Sequence, residues 1–174
     1  MKKPIIFTIG HSTHPINEFI GLLQTHHIKE IADVRSIPKS RHNPQFNSDK
    51  LKKSLQSVHI KYKNFKRLGG LRHAKKKSIN LGWQNTSFRG FADYMASPEF
   101  NKGLEMLMKN ARLRPTAIMC AEAVPWRCHR SLIADALTKK GWLVKDVMSR
   151  ANASKHRLTP FLKVRKGQLV YPLA

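Results

Sequence analysis

The chain is short of acid. Only 10 Asp and Glu stand against 33 Lys and Arg, a formal charge of +23 with no acidic tract to offset it. A field of that sign and size draws polyanions, so nucleic acid or a phosphorylated small molecule is the expected partner. Cysteine is scarce as well. Cys120 and Cys128 are the only two, too few for the disulfide framework of a secreted scaffold. Long apolar runs are missing: Met1-Lys2-Lys3-Pro4 leads into one short apolar stretch before Gly10-His11, too little for a signal peptide or a membrane span. These absences predict a cytoplasmic protein without a membrane partner, in which the sequons at Asn85 and Asn152 are chance matches. What is present suffices for one core. With 41% hydrophobic residues in 174, the expectation is a single domain over 1–150 and a basic extension over 151–174 packed on it.

The positive charge is concentrated. Residues 35–89 carry fifteen basic side chains against one acid, Asp49, and residues 149–174 carry six against none. A solvated surface explains a modest excess, but a fifteen-to-one ratio favours a contact face. Its candidate nucleic-acid-binding residues are Arg41, Lys61, Lys63, Lys66, Arg67, Arg72, Lys75, Lys76, Lys77 and Arg89. Tyr62, Phe65, Trp83 and Phe88 are interleaved with them, a pattern suited to stacking a single strand or a flipped base while its phosphates are neutralised. No helix-turn-helix, zinc-finger or RNP signature accompanies them, so such a groove binds backbone first. Residues 66–87, with Gly69-Gly70 and little periodicity, read as a mobile loop.

Short apolar runs alternate with amphipathic segments. Ile5 to Ile9, Ile31 to Val34, Ile60 to Phe65, Thr116 to Ala121 and Leu143 to Met148 read as strands. Helices are expected after Pro15, after a Ser48 cap, over Phe88 to Met95, over Pro98 to Ala111 and over Cys128 to Lys140. Phe161 to Tyr171 reads as a hairpin turning at Lys166-Gly167. The alternation predicts a Rossmann-like α/β fold, a mostly parallel sheet flanked by helices with a hairpin-like tail. In such sheets ligands lie beyond the carboxyl ends of the strands. Polar residues gather at those ends here: Gly10-His11-Ser12 after the first strand, Asp33 and Arg35 at the second, Cys120 and Glu122 at the fourth.

Three readings of that crevice follow. In the first, His11 and Glu122 move protons, Asp33 orients a partner, and Gly10, Ser12, Arg35, Arg127 and Arg130 bind phosphate or another anion. Gly10-His11-Ser12 has neither the GxGxxG spacing nor a Walker lysine, so a dinucleotide or P-loop site is disfavoured. In the second, Cys120, Cys128 and His129 form a thiol site, with Cys128 activated at a helix N-terminus beside Arg127, His129 and Arg130. The Cys-x5-Arg loop of phosphatases is absent, since Ala134 stands six after Cys128. Cys-x7-Cys-His also lacks the paired knuckles of a zinc site, and no metal ligand set or cofactor is assigned. In the third, the same charges serve a nucleic-acid-binding protein without catalysis. Buried acids that orient arginines, and a cysteine that is only a small core hydrophobe, are the structural alternatives at each position.

Taken in order, the motifs resemble a known family. Thr8-Ile9-Gly10-His11-Ser12, Asp33-Val34-Arg35 with Pro38, Ser40, Arg41, Pro44 and Phe46, Leu68-Gly69-Gly70, Phe91 with Tyr94-Met95, and Met119-Cys120-Ala121-Glu122 followed by Cys128-His129-Arg130 are similar to the family called domain of unknown function 488. The resemblance runs from about residue 6 to residue 148. It implies a compact cytoplasmic α/β domain, a shared site, and a connection to nucleic-acid or nucleotide processing. The leading expectation is therefore a nucleic-acid-associated or nucleotide-directed enzyme, a hydrolase or base-processing enzyme. The thiol or metal-dependent enzyme and the binding module remain open beside it.

Overall fold

The computed structural model describes residues 1–174. Five strands, β1 (Ile5–Gly10), β2 (Glu30–Asp33), β3 (Lys61–Asn64), β4 (Thr116–Cys120) and β5 (Leu143–Val147), pair in parallel, and β6 (Ala153–Lys155) closes one edge antiparallel to β5. The order across the sheet is β3-β2-β4-β1-β5-β6. Beyond it, β7 (Lys163–Arg165) and β8 (Gln168–Val170) form the expected hairpin. Lys166 and Gly167 both have positive φ, which suits the twist of a two-residue turn. The α/β reading of the sequence thus holds; β6 is the strand it lacks, three residues too short to show a pattern.

Side chains alternate across the sheet and sort the core into two layers. On β4, Ala117 and Met119 face one way and join Phe19, Leu22 and Leu23 of α1 (Ile16–Thr25) and Leu51 and Leu55 of α2 (Ser48–Gln56). Ile118 and Cys120 face the other way, toward α3 (Thr86–Tyr94), α4 (Pro98–Ala111) and α5 (Arg130–Lys139). Phe91, Met95, Phe100, Leu104 and Leu107 are buried there, as their helical spacing predicts. Three helix starts differ from expectation: α3 begins at Thr86 rather than Phe88, because the Asn85 side chain caps it by accepting from the N–H groups of Ser87 and Phe88. Asn47, not Ser48, is the N-cap residue of α2, and α5 begins at Arg130, because Pro125–Arg127 form a separate 3-10 turn that delays it.

Of the 66–87 segment, Lys66–Leu68 form a 3-10 turn, Thr86 and Ser87 already belong to α3, and the irregular stretch between is tied down. Asp93 accepts hydrogen bonds from the backbone N–H of Lys75 and the side chains of Ser78 and Asn80, and Asn80 in turn accepts from the backbone of Tyr171. The buried carboxylate of α3 thereby replaces the mobile loop of the sequence reading with an anchored one. The C-terminal segment also enters the core through Tyr171, which is wholly buried.

β1 and β4 are neighbours, with Gly10 in register with Cys120. The chain leaving β1 enters α1 on one face of the sheet, whereas the chain leaving β4 enters α5 on the other. Diverging exits from adjacent parallel strands create the crevice in which α/β folds hold ligands. No helix is long and apolar enough to cross a membrane.

Candidate functional site

A cavity of about 350 Å³ opens at these strand ends. Cys120, Cys128 and His129 line it beside Arg35, Lys39 and Arg127, with Glu122, Ser36 and Ser87 as further polar groups. Ile37 and Leu71 line it too and are exposed, so part of its mouth is apolar. The ion pairs of the chain engage Arg35, Arg67, Lys102, Arg114 and histidines, leaving Lys39 and Arg127 free to meet an anion.

The sulfurs of Cys120 and Cys128 are joined as a disulfide. The Arg130 backbone N–H, at the start of α5, points to the Cys128 sulfur at 3.4 Å, and His129 Nδ1 lies 3.6 Å from it. The imidazole has a fixed tautomer. Its Nε2 lies 2.9 Å from the Val34 carbonyl and 3.0 Å from that of Leu68, and two acceptors require a proton on that nitrogen. Nδ1 is then the lone-pair side, turned toward sulfur. Burial pushes the His129 pKa down to about 4, only partly opposed by the two carbonyls, so the ring is neutral at pH 7.

The residues of the acid–base reading are not brought together. His11 is buried, 4.2 Å from the Phe46 ring in a stack, with Nδ1 on the Ser12 carbonyl and Nε2 facing Arg35. Burial and the Arg35 charge lower its pKa to about 4, against the Ser12 carbonyl. Asp33 is wholly buried and takes Nε and Nη2 of Arg35 at 2.9 and 2.7 Å and the Tyr62 hydroxyl at 2.6 Å. It holds the guanidinium of Arg35, which still lines the cavity. Burial and this carboxylate push the Tyr62 hydroxyl pKa upward. Only Glu122 of the three proposed catalytic residues reaches the cavity, and it is exposed.

The phosphate-binding set divides similarly. Gly10 is required for a different close approach: a Cβ there would overlap the Glu122 carbonyl and crowd Ala123. The N–H groups of His11 and Ser12 donate to the Cys120 and Ala121 carbonyls, which commits them to the β1–β4 junction. Arg130 is wholly buried beneath the cysteines, and Arg127 is exposed in the cavity wall.

Among the basic residues, Arg41, Lys61, Lys63, Lys66 and Lys75 to Lys77 are exposed. Lys61 and Lys63 lie on β3, an edge strand, where lysine also guards against strand addition. Arg67 pairs with Glu99, Arg72 serves the Gly69 carbonyl and stacks on Tyr94, and Arg89 holds the Trp83 carbonyl. The interleaved aromatics differ from expectation. Phe65 is buried, Tyr62 binds Asp33, and Trp83 stacks on Phe88 and meets Phe161, so the row serves packing; half-buried Phe88 alone borders the cavity.

Lys39, Ile37 and Leu71 are cavity residues the sequence reading did not select. Lys39 carried a signal, since it falls inside the Pro38 to Phe46 motif. A larger hollow of about 680 Å³ lies under the C-terminal segment, beside Trp126, Asp146 and His156. Its imidazole and carboxylate are bound to each other, which leaves no free reacting pair. No group of three or more His, Cys, Asp or Glu is arranged to hold a metal ion.

A sequence model of the family described as Domain of unknown function DUF488 matches residues 15–137, most of the chain and most of the cavity wall. The chain belongs to this family. Searches of curated proteins and of solved structures give no match. The DUF488 match spans Arg35, Gly70, Cys120, Glu122, Cys128 and His129, while Gly10 and His11 lie before its first residue. The family description names no reaction, so chemistry must come from the site.

Proposed function

We propose that this DUF488 protein is a nucleotide- or nucleic-acid-directed enzyme that uses the thiol of Cys128, in the reduced protein, to form a covalent intermediate. The observation that carries the reading is the arrangement around one sulfur: the α5 N-terminus, the Arg130 N–H and the unprotonated Nδ1 of His129. A helix N-terminus and a donated N–H stabilise thiolate, and the lone pair of Nδ1 orients the thiol by accepting its S–H hydrogen bond until the proton leaves to solvent. Lys39 and Arg127 supply unpaired positive charge for phosphate, and Ile37, Leu71 and Phe88 supply an apolar wall for a base. The thiolate forms an S–P bond as the P–O bond to the leaving group breaks and that oxygen takes a proton from solvent; the exposed Glu122 carboxylate at the rim then takes a proton from the water whose oxygen replaces sulfur on phosphorus, which returns the thiolate. Support for the acid–base alternative is weaker, since His11 is buried away from the cavity wall.

The test uses reduced protein, a fluorescent single-stranded oligonucleotide and a set of nucleoside phosphates, with binding and product release measured on the same preparation. Cys128→Ser is expected to abolish turnover and keep binding, Arg127→Gln to weaken binding, and Glu122→Gln to lower turnover about 10²–10⁴-fold. Full turnover in folded Cys128→Ser overturns the thiol reading. Binding without turnover in the wild type replaces the enzyme with a binding module.

A further inference from the structure

Arg130 is the largest fully buried side chain of the protein and has no carboxylate partner. Its guanidinium donates to the backbone carbonyls of Glu122 and Ala123 and to the sulfur of Cys120, the last at 2.7 Å, while its Nε has no acceptor. The other deeply buried cations have an anion in contact. Arg35 sits 2.7 Å from Asp33, and His156 lies between Asp135 and Asp146 at 2.9 and 3.2 Å. A guanidinium removed from water without a counter-charge is costly, and the cost falls when an anion is placed at its donors. A disulfide sulfur carries no charge. The one group at the donors of Arg130 that can become an anion is Cys120, as a thiolate.

Burial pulls the Arg130 pKa down to about 10, with Asp146 and Glu122 acting in the opposite direction from farther away. At pH 7 the guanidinium is still charged, so its attraction for a thiolate is present throughout the neutral range. Cys120 and Cys128 are nearly covered but both line the cavity, through which a small hydroperoxide reaches the sulfurs.

We propose that Cys120 and Cys128 are a reversible dithiol–disulfide pair in which Cys120, charge-paired with Arg130, reacts with hydroperoxides and Cys128 resolves the product. In the first step the Cys120 thiolate attacks one oxygen of the hydroperoxide. An S–O bond forms, the O–O bond breaks, and the departing alkoxide or hydroxide takes up a proton. The sulfur is oxidised by two electrons to sulfenic acid and the hydroperoxide is reduced by two. In the second step the Cys128 sulfur attacks that of Cys120. The S–S bond forms, the S–O bond breaks, and hydroxide leaves to combine with the Cys128 proton as water. A small dithiol reductant returns both thiols by exchange. Oxidation therefore caps the proposed nucleophile. This last consequence rests on the thiol reading of the function; the oxidation chemistry does not.

The experiment follows the thiols directly and needs no substrate. Reduced wild-type protein is exposed to one equivalent of hydrogen peroxide and analysed by intact mass and peptide mapping. The expected product is the internal Cys120–Cys128 bond, reversed by dithiothreitol. Cys128→Ser should stop at a Cys120 sulfenic acid trapped by a cyclic 1,3-diketone, and Cys120→Ser should react with peroxide at least about tenfold more slowly. In Cys128→Ser, iodoacetamide should alkylate Cys120 at a nearly constant rate from pH 6.5 to 8, because an ordinary cysteine has its pKa at about 8.5 and this one is held ionised. A rate rising about tenfold per pH unit over that range overturns the Arg130 pairing. Peroxide consumption as fast in Cys120→Ser as in the wild type, or an unreacted pair in the wild type, overturns the proposal. Since Arg130 is wholly buried, its own substitution endangers the fold, and the serine variants decide the matter without it. Loss of turnover with intact peroxide chemistry, or the converse, separates the failure of one proposal from the failure of the other.

Discussion

Arg35 and Asp33 stand two residues apart at the carboxyl end of β2 and face each other through two N–H donors, at 2.9 and 2.7 Å. The Tyr62 hydroxyl completes the carboxylate, and the Arg35 Nη2 also reaches the Phe46 carbonyl at 2.8 Å. One buried acid thus fixes an arginine of the cavity wall and ties β2 to β3 and to the loop before α2. Asp33→Asn removes the counter-charge of a buried guanidinium, and a loss of about 3–5 kcal/mol is expected by denaturant titration. Tyr62→Phe removes one hydrogen bond to a charged group and should cost about 1.5–3 kcal/mol. If Asp33→Asn is as stable as the wild type, the pair does not hold this end of the sheet.

The parallel sheet was legible because its strands are apolar runs bounded by turns, and the crevice because α/β connectivity puts loops at one end. Gly10 was legible as a close approach, but not which backbone approaches: the contact comes from Glu122, 112 positions away by residue number. The aromatic row from Tyr62 to Phe88 misled because interleaving with lysine describes order along the chain. Burial depends on the helices later folded over it, and Phe161 and Tyr171, which meet Trp83, come from the far end of the chain. The same distance hid the cluster of Asp135, Asp146 and His156. Each reads alone as an ordinary polar residue, and only α5, β5 and the segment after β6 bring them together.

That cluster and the two neutral histidines give stability a maximum in pH. For His156, burial lowers the pKa, but hydrogen bonds and charges from Asp135 and Asp146 outweigh it and raise it to about 9. Its contribution is complete below the unfolded pKa of about 6.5 and is lost as pH rises through 9. His11 and His129, buried neutral with pKa values of about 4, act the other way: stability is complete above 6.5 and falls as pH drops toward 4. Thermal melting should therefore peak near pH 6.5. His156→Gln should flatten the alkaline limb and leave the acid limb; an unchanged alkaline limb contradicts a charged His156.

Gly70 tests how the His129 ring is held. A Cβ on Gly70 would stand 2.6 Å from Nδ1 and 2.8 Å from Cγ of that ring, too close for either to remain in place. Gly70→Ala should displace the imidazole from the Val34 and Leu68 carbonyls at a cost of about 1–3 kcal/mol, typical of overpacking. The Cys128 alkylation rate in reduced protein should change with it, since Nδ1 faces that sulfur. Unchanged melting and alkylation together would show that the ring is not confined from this side.

The basic face is tested where charge can be removed without touching the fold. Arg72 and Arg89 fail that condition, because their guanidinium groups hold backbone carbonyls at 3.1 and 3.0 Å. Lys75, Lys76 and Lys77 meet it: their side chains are exposed, and the anchors of their segment are the Lys75 backbone N–H, Ser78 and Asn80 on Asp93. Replacing all three by Gln should leave the melting temperature nearly unchanged. If they meet phosphates, the slope of log affinity against log salt for a single-stranded oligonucleotide should become shallower by about 0.7 for each phosphate no longer neutralised, up to about 2 in total. Arg127→Gln, in the cavity wall, removes one charge and should change the slope by less than about 1. Its larger effect should fall on the affinity for a nucleoside monophosphate held in the cavity, whose wall includes Arg127 and none of the three lysines. A slope unaffected by the triple substitution removes these lysines from the interface and leaves the cavity cations, Lys39 and Arg127, as the anion site.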